Sequence, residues 1–254
     1  MKARFAFYLI LLLVAILAVS SAATFFDAIE DTSGSMKASW RLQVTSLVQV
    51  PLAIHEFRTD RLKAINFYKQ SWWIIVVSSF FLGGHFSFWA TSLDETSMAH
   101  SLAFVSSSPI LIMTINSFTK SKPNVLQISG VLIGFGGLLV MVLTVSDDKD
   151  STIYGNILAF LGAICLMIYF FCGKYVRKQN IMWVYMFPIN FFASIFSYIF
   201  AISLQGDDYE SVVEWIYTSN WPFALYLGIV SGISGTPRSI ILSKPFLLCL
   251  YRHL

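Results

Sequence analysis

Eight apolar runs, parted by short polar segments whose charge alternates in sign, constrain this chain more than anything else in its sequence. They span residues 5–26, 40–54, 72–93, 97–118, 125–145, 153–172, 181–204 and 221–235. Crossing a bilayer takes about 20 apolar residues in a helix, because hydrocarbon offers nothing else to satisfy the backbone. A soluble domain carries roughly a quarter of its residues as charges. Here 12% of 254 residues are charged, 56% are hydrophobic and mean hydropathy is +0.69. The expected fold class is all-α integral membrane, with about eight transmembrane helices.

The second run is short and carries Arg41, Gln43 and Gln49, and the eighth breaks up at Gly235-Thr236-Pro237-Arg238. The first run also has the makings of a cleaved signal: Lys2 and Arg4, an apolar core, then Ser20-Ser21-Ala22-Ala23. Its core is long for a signal, and the repeat described below needs it as a helix. Placing the amino terminus in the cytoplasm puts fourteen of the seventeen basic residues on that side: Lys2, Arg4, Arg58, Arg61, Lys63, Lys69, Lys120, Lys122, Lys174, Arg177, Lys178, Arg238, Lys244 and Arg252. Lys37, Arg41 and Lys149 remain at the other side, where all acidic residues but Glu56 and Asp60 collect. The alternation follows the positive-inside rule, and a wrong helix count would scramble it.

The connections at Asp94-Glu95, 120–124 and 147–151 are short, so consecutive helices form antiparallel hairpins. After five crossings comes the polar linker Asp147-Asp148-Lys149-Asp150, and a new series opens at Tyr154-Gly155-Asn156. Five is odd, so a second series enters the membrane from the opposite side. This is the inverted repeat of many alternating-access transporters. The expected domains are a first five-helix repeat over 1–146, a partial second repeat of three helices over 152–235, and an atypical tail over 236–254. In the tail a twelve-residue apolar stretch contains Lys244-Pro245, which suits a crossing poorly. The expectation is a second repeat left incomplete by a truncated or frame-shifted carboxy terminus.

Ala90-Thr91-Ser92-Leu93, Thr96-Ser97-Met98-Ala99 and Ser106-Ser107-Ser108-Pro109 resemble the third-to-fourth helix junction of the drug/metabolite transporter superfamily, in particular its EamA-like members. Trp40-Arg41-Leu42 is similar to the arginine-bearing start of their second helix, the Gly-rich stretch from Gln127 to Gly137 to their fifth, and the stretch from Gly155 to Leu161 to the opening of their second repeat. The resemblance covers roughly residues 5 to 235. It implies a ten-helix fold of two inverted five-helix repeats that carries small organic solutes or metabolites, with nucleotide-sugar transporters among the relatives. The departure from that pattern lies at the end, where the expectation is that two and a half helices of the second repeat are missing.

Polar groups inside a membrane cost a few kcal/mol each when charged, and so mark candidate solute paths. Arg41 meets an anionic solute or snorkels to headgroups. His85 and His100 are the titratable groups of the third and fourth runs, and each either binds solute and moves protons or bonds a neighbouring helix. His100, Phe104 and Ser108 recur at i, i+4 and i+8, with Ser101 close to that stripe. Gln49, Trp89 and Asn190 complete the candidates, each with packing as the plainer reading. Pro109 should kink its helix. Gly130 with Gly134 and Gly228 with Gly232 are small-xxx-small pairs, read as internal helix packing with a homodimer as the alternative use.

Cys165, Cys172 and Cys249 form neither a CxxC nor a metal-ligand spacing, and no cofactor or metal is expected. Gly232-Ile233-Ser234-Gly235 is a GxSG string, but a serine enzyme needs a histidine beside the nucleophile. His85 and His100 belong to the opposite end of the membrane, so no enzymatic activity is expected. The net charge of +3 is too small to argue for nucleic acid, leaving the lipid bilayer and a small-molecule solute as partners. The rival reading is a non-transporting structural or receptor-like membrane protein, or an inactive fragment of a transporter. Against it stand loops too short to form a binding domain.

Overall fold

With hydrogen-bond partners absent from hydrocarbon, helices are the economical way for this composition to satisfy its backbone. A computed structural model describes residue 10 and residues 13–119, 122–144, 150–176 and 181–232, and among them there are helices and no strand. The helices are α1 Leu13–Asp27, α2 Gly34–Thr59, α3 Arg61–Glu95, α4 Met98–Ser117, α5 Val125–Thr144, α6 Ile153–Val176, α7 Met182–Gln205 and α8 Trp221–Ser231. A 3-10 segment, Tyr209–Ile216, joins α7 to α8. Lys2, Arg4, Lys120, the linker Asp147-Asp148-Lys149, Arg177, Lys178, Ser234 and the tail at 236–254 with Cys249 lie outside the described residues.

Five of the helices, α3 to α7, are long and apolar enough to cross a membrane; α1 and α8 are shorter apolar helices over their described parts. Helix α2 is long enough, but it is polar. Every residue from Gly34 to Leu42 on it is buried, including Lys37, Ser39 and Arg41. Its polar groups therefore face protein and not lipid, and a hydropathy window underestimates such a helix. The run expected at 40–54 is a helix from 34 to 59, and the run expected at 72–93 a helix from 61 to 95. The second discrepancy has a visible cause: Ser71 leaves helical geometry at φ −128°, ψ 16°. The kink separates the apolar part from a basic arm that holds Arg61, Lys63 and Lys69.

Two apolar clusters hold the bundle. One gathers Phe26, Met36, Trp40, Trp89, Leu93 and Leu227 toward the Asp94 end. The other gathers Leu42, Phe67, Ile74, Leu82, Ile189 and Val184 toward the Glu56 end. The two ends are closed by different chemistry. At the Asp94 end Lys37 pairs with Asp94 at 2.9 Å, and Gln205 bridges Ser35 N–H and Thr91 Oγ. There the 3-10 segment folds onto α2, with Trp40 Nε1 and Gln43 Nε2 donating to Ser211 O and Val212 O. At the other end the Glu56 carboxylate accepts the N–H groups of Met182 and Val184 at 3.1 and 2.8 Å. It thus satisfies donors that the first turn of α7 leaves open.

The four paired glycines divide. A Cβ at Gly228 would collide with Val44, and one at Gly232 with Thr45, so α8 reaches α2 only because both residues are bare. A Cβ at Gly130 or Gly134 would meet nothing within 4 Å, and no residue of α5 is buried. The internal packing expected of that pair is not formed among the described residues. Gly228→Val should therefore destabilise the bundle by about 1–3 kcal/mol through overpacking. Gly130→Val should stay within about 0.5 kcal/mol, with detergent-induced unfolding followed by fluorescence as the comparison.

Candidate solute cavity

Between the two apolar clusters lies a cavity of about 640 Å³, within the roughly 300–1,000 Å³ usual for small-molecule sites. It is bounded by α1, α2, α3, α4, α5, α6, α7 and α8. Most of its wall is aliphatic or aromatic. Arg41 is the one charged side chain lining it among the described residues.

Arg41 sits between Trp40 of one cluster and Leu42 of the other. It is 6% exposed, so it does not snorkel to headgroups. Its Cζ lies 4.2 Å from the centroid of Phe86 and 5.7 Å from that of Phe26, a cation–π cradle. Its guanidinium donates no hydrogen bond and forms no ion pair among the described residues, and Nη1 is buried without a partner. The backbone that carries it is pinned from behind, because the Thr45 hydroxyl is shared between Arg41 O at 2.8 Å and Gly228 O at 3.0 Å. Helix α8 widens there to a π-turn, Tyr226–Ser231, a geometry often found at functional places.

Helix α3 contributes His85, Phe86 and Trp89. His85 Nδ1 is 2.9 Å from Gly162 O. A carbonyl only accepts, so Nδ1 carries the proton in that bond, and Nε2 has no protein partner among the described residues. The His85 ring lies nearly parallel to Trp89, centroids 6.2 Å apart, while Phe26 meets Trp89 edge-on. The Trp89 Nε1–H is buried without an acceptor. Asn190 on α7 donates from Nδ2 to Gln49 Oε1 at 3.1 Å and to Met186 O at 2.9 Å. Helix α4 is interrupted by a turn at Ser106-Ser107, just before Pro109, and Val105, Ser106, Ser108 and Pro109 all line the cavity. Pro109 has no N–H to give the carbonyl four residues back.

Of the candidate residues, Arg41, His85, Trp89, Ser108 and Asn190 are thus brought to one cavity, with Pro109 and Gly232 on its wall. Four are elsewhere. His100 and Ser97 form a helix cap, the Ser97 Oγ accepting His100 N–H and lying 2.7 Å from His100 Nδ1. Ser101 bonds Ser92 across the α3–α4 contact at 2.6 Å. Phe104 is 39% exposed on the outside of the bundle. Gln49 stands behind Asn190, fully buried, with its Nε2 unpartnered.

A family model described as the EamA-like transporter family matches residues 6–143. The sequence matches no curated protein. Among solved structures, a crystal structure of a protein superposes with a TM-score of 0.68, at 16% identity, over 94% of this chain and 80% of its own length. At that identity the likeness is one of fold.

Sequence reasoning missed Thr45, Phe86, Tyr169, Met186 and Ser231 on the wall. Aromatic and sulfur residues in a span look like any packing residue, and only the Ser and Thr carried a polar signal. The Gln49–Asn190 pair yields a test. Asn190→Leu removes the one hydrogen-bond partner that the buried Gln49 amide has among the described residues and should cost about 1–3 kcal/mol. Adding Gln49→Leu should recover part of that loss, because no polar group is then stranded. Unfolding of the two variants in detergent gives the comparison.

Proposed function

Because the chain belongs to the EamA-like transporter family, whose members are membrane transporters of small solutes, we propose that the cavity is the solute site of a transporter for a small organic solute or metabolite, working by alternating access. The observation that carries this reading is a cavity lined from two apolar clusters that meet at Phe86; in alternating access one cluster would act as the closed side while the other loosens. Arg41, His85, Trp89, Ser108 and Asn190 are the residues assigned to the solute.

The repeat scheme has support in the helix pairing. If the repeats occupy 1–146 and 152–235, α1 corresponds to α6, α2 to α7 and α3 to α8. Exchanging these partners carries the α3–α6 contact into α8–α1, the α3–α7 contact into α8–α2, and α2–α7 into itself, and all of these contacts occur. Stacking of Phe25 on Tyr226 at 3.8 Å, the contact of Phe25 with Phe223 and the Ser21–Tyr226 hydrogen bond belong to the α1–α8 contact. A contact as extensive as α2–α3 is not formed between α7 and α8, whose described part is short. The charge alternation of the loops supports a cytoplasmic amino terminus.

In this scheme the Lys37–Asp94 pair and the Gln205 bridge form the latch at the Asp94 end. The test is reagent access to a cysteine placed at Ser108, in a background without native cysteines and in sealed vesicles of known sidedness. Alternating access requires that a membrane-impermeant thiol reagent reach this position from either face. Access from one face alone, or from neither, sinks the proposal. Asp94→Asn should raise the labelling rate from the Asp94 face several-fold, since a like-sized neutral group cannot hold Lys37. An unchanged rate would remove the latch from the scheme.

A further inference from the structure

Resting on the reading of the cavity as a solute site, we propose that the solute is an amphipathic organic monoanion, whose anionic head meets Arg41 and Trp89 and whose apolar body fills the remaining wall. The wall supplies a positive charge with no counter-charge: Arg41 is there, and no Asp, Glu or Lys lines the cavity among the described residues. A buried guanidinium left in this state calls for an anion or for water. Two buried side-chain nitrogens of wall residues, Arg41 Nη1 and Trp89 Nε1, lack a partner among the described residues and both are donors, while the open ring nitrogen of His85, Nε2, is an acceptor that suits water or a hydroxyl. Three other polar groups there are already bonded within the protein: Asn190 Nδ2 to Gln49 and Met186, Thr45 to two carbonyls, and His85 Nδ1 to Gly162 O.

One cation argues for one negative charge, because a second would have no partner within the cavity. The same inventory disfavours other classes. A cationic solute would face Arg41 unopposed, and the ammonium of a zwitterion would find no carboxylate on the wall. The apolar body follows from the rest of the lining, where Leu82, Leu102, Leu138, Met141, Leu166 and Phe170 have little but surface to offer. A strongly hydrophilic anion would leave that surface wet and its own hydroxyls unpaired.

The test holds the body constant and changes only the head. Binding of 4-phenylbutyrate, 4-phenylbutanamide and 4-phenylbutylamine is measured by calorimetry on the full chain in lipid nanodiscs. The acid should bind at least about tenfold more tightly than the amide, the size of one charge-assisted hydrogen bond, and the amine most weakly. Arg41→Gln should bring acid and amide to equal affinity, Arg41→Lys should restore part of the preference, and Trp89→Phe should weaken the acid several-fold. An amide equal to the acid, an amine that binds most tightly, no binding by any of the three, or a preference untouched in Arg41→Gln would each overturn the proposal. If Arg41→Gln does not fold, the wild-type ranking and Trp89→Phe decide it. Uptake of the same three compounds by proteoliposomes separates this inference from the transport reading. Acid-selective binding without uptake would refute transport and leave the anion site standing, whereas equal uptake of acid and amide would do the reverse.

Discussion

A guanidinium held inside an apolar bundle, with no ionic partner among the described residues, is the constraint on which the rest of the arrangement depends. Taking such a charge out of water costs several kcal/mol even after relaxation. Arg41 is only 6% exposed, and two features make its position tolerable. The faces of Phe86 and Phe26 offer a cation–π cradle, and the cavity offers room for water or solute. Helix α2, which carries Arg41, must then be sheathed by more apolar helices. Helices α3, α7 and α8 all pack against it, and α8 does so through bare glycines.

The sheath explains why the polar helix is central and the most apolar one peripheral. Helix α5 has the highest hydropathy of the spans and none of its residues is buried, whereas α2 fails the hydropathy criterion and is buried over its whole first third. In lipid that order is the reverse of a soluble protein's: the outside is the apolar phase, and polar groups are driven inward to one another. The end closures obey the same logic. Ion pair, amide bridge and Glu56 cap all sit toward the helix ends, while the middle is held by dispersion in the two clusters.

That inversion sets how much could be read in advance. The helices α3 to α7 were legible because each is a run of apolar residues facing lipid on at least one side. The true extents of α2 and α3 were not, because their hydropathy falls where the helix enters protein or leaves the bilayer, and a helix ends for other reasons. Arg41, His85 and Asn190 stood out as polar residues in spans. The stripe of His100, Phe104 and Ser108 misled for a geometric reason: the turn at Ser106-Ser107 breaks the periodicity, so Ser108 no longer shares a face with Phe104 by a simple count. The small-xxx-small spacing could not distinguish Gly228 and Gly232, which touch α2, from Gly130 and Gly134, which touch nothing described. The spacing says only that close approach is allowed.

If the cavity takes the solute as proposed, its one positive charge without a counter-charge among the described residues would also tie solute binding to closure. While water occupies the cavity, Arg41 is solvated and the bundle can remain loose at one end. Squeezing that water out with the charge still bare would cost the desolvation energy in full. An anion that arrives with its own apolar body neutralises the charge and displaces water from the aliphatic wall, so both terms that oppose closure are reduced together. On the reading proposed above, the empty carrier and the loaded carrier then differ in how readily the cavity seals, with no carboxylate on the cavity wall among the described residues to take up a proton. The coupling would lie in the solute's charge itself, met by Arg41, whose chain neighbours Trp40 and Leu42 belong to different clusters.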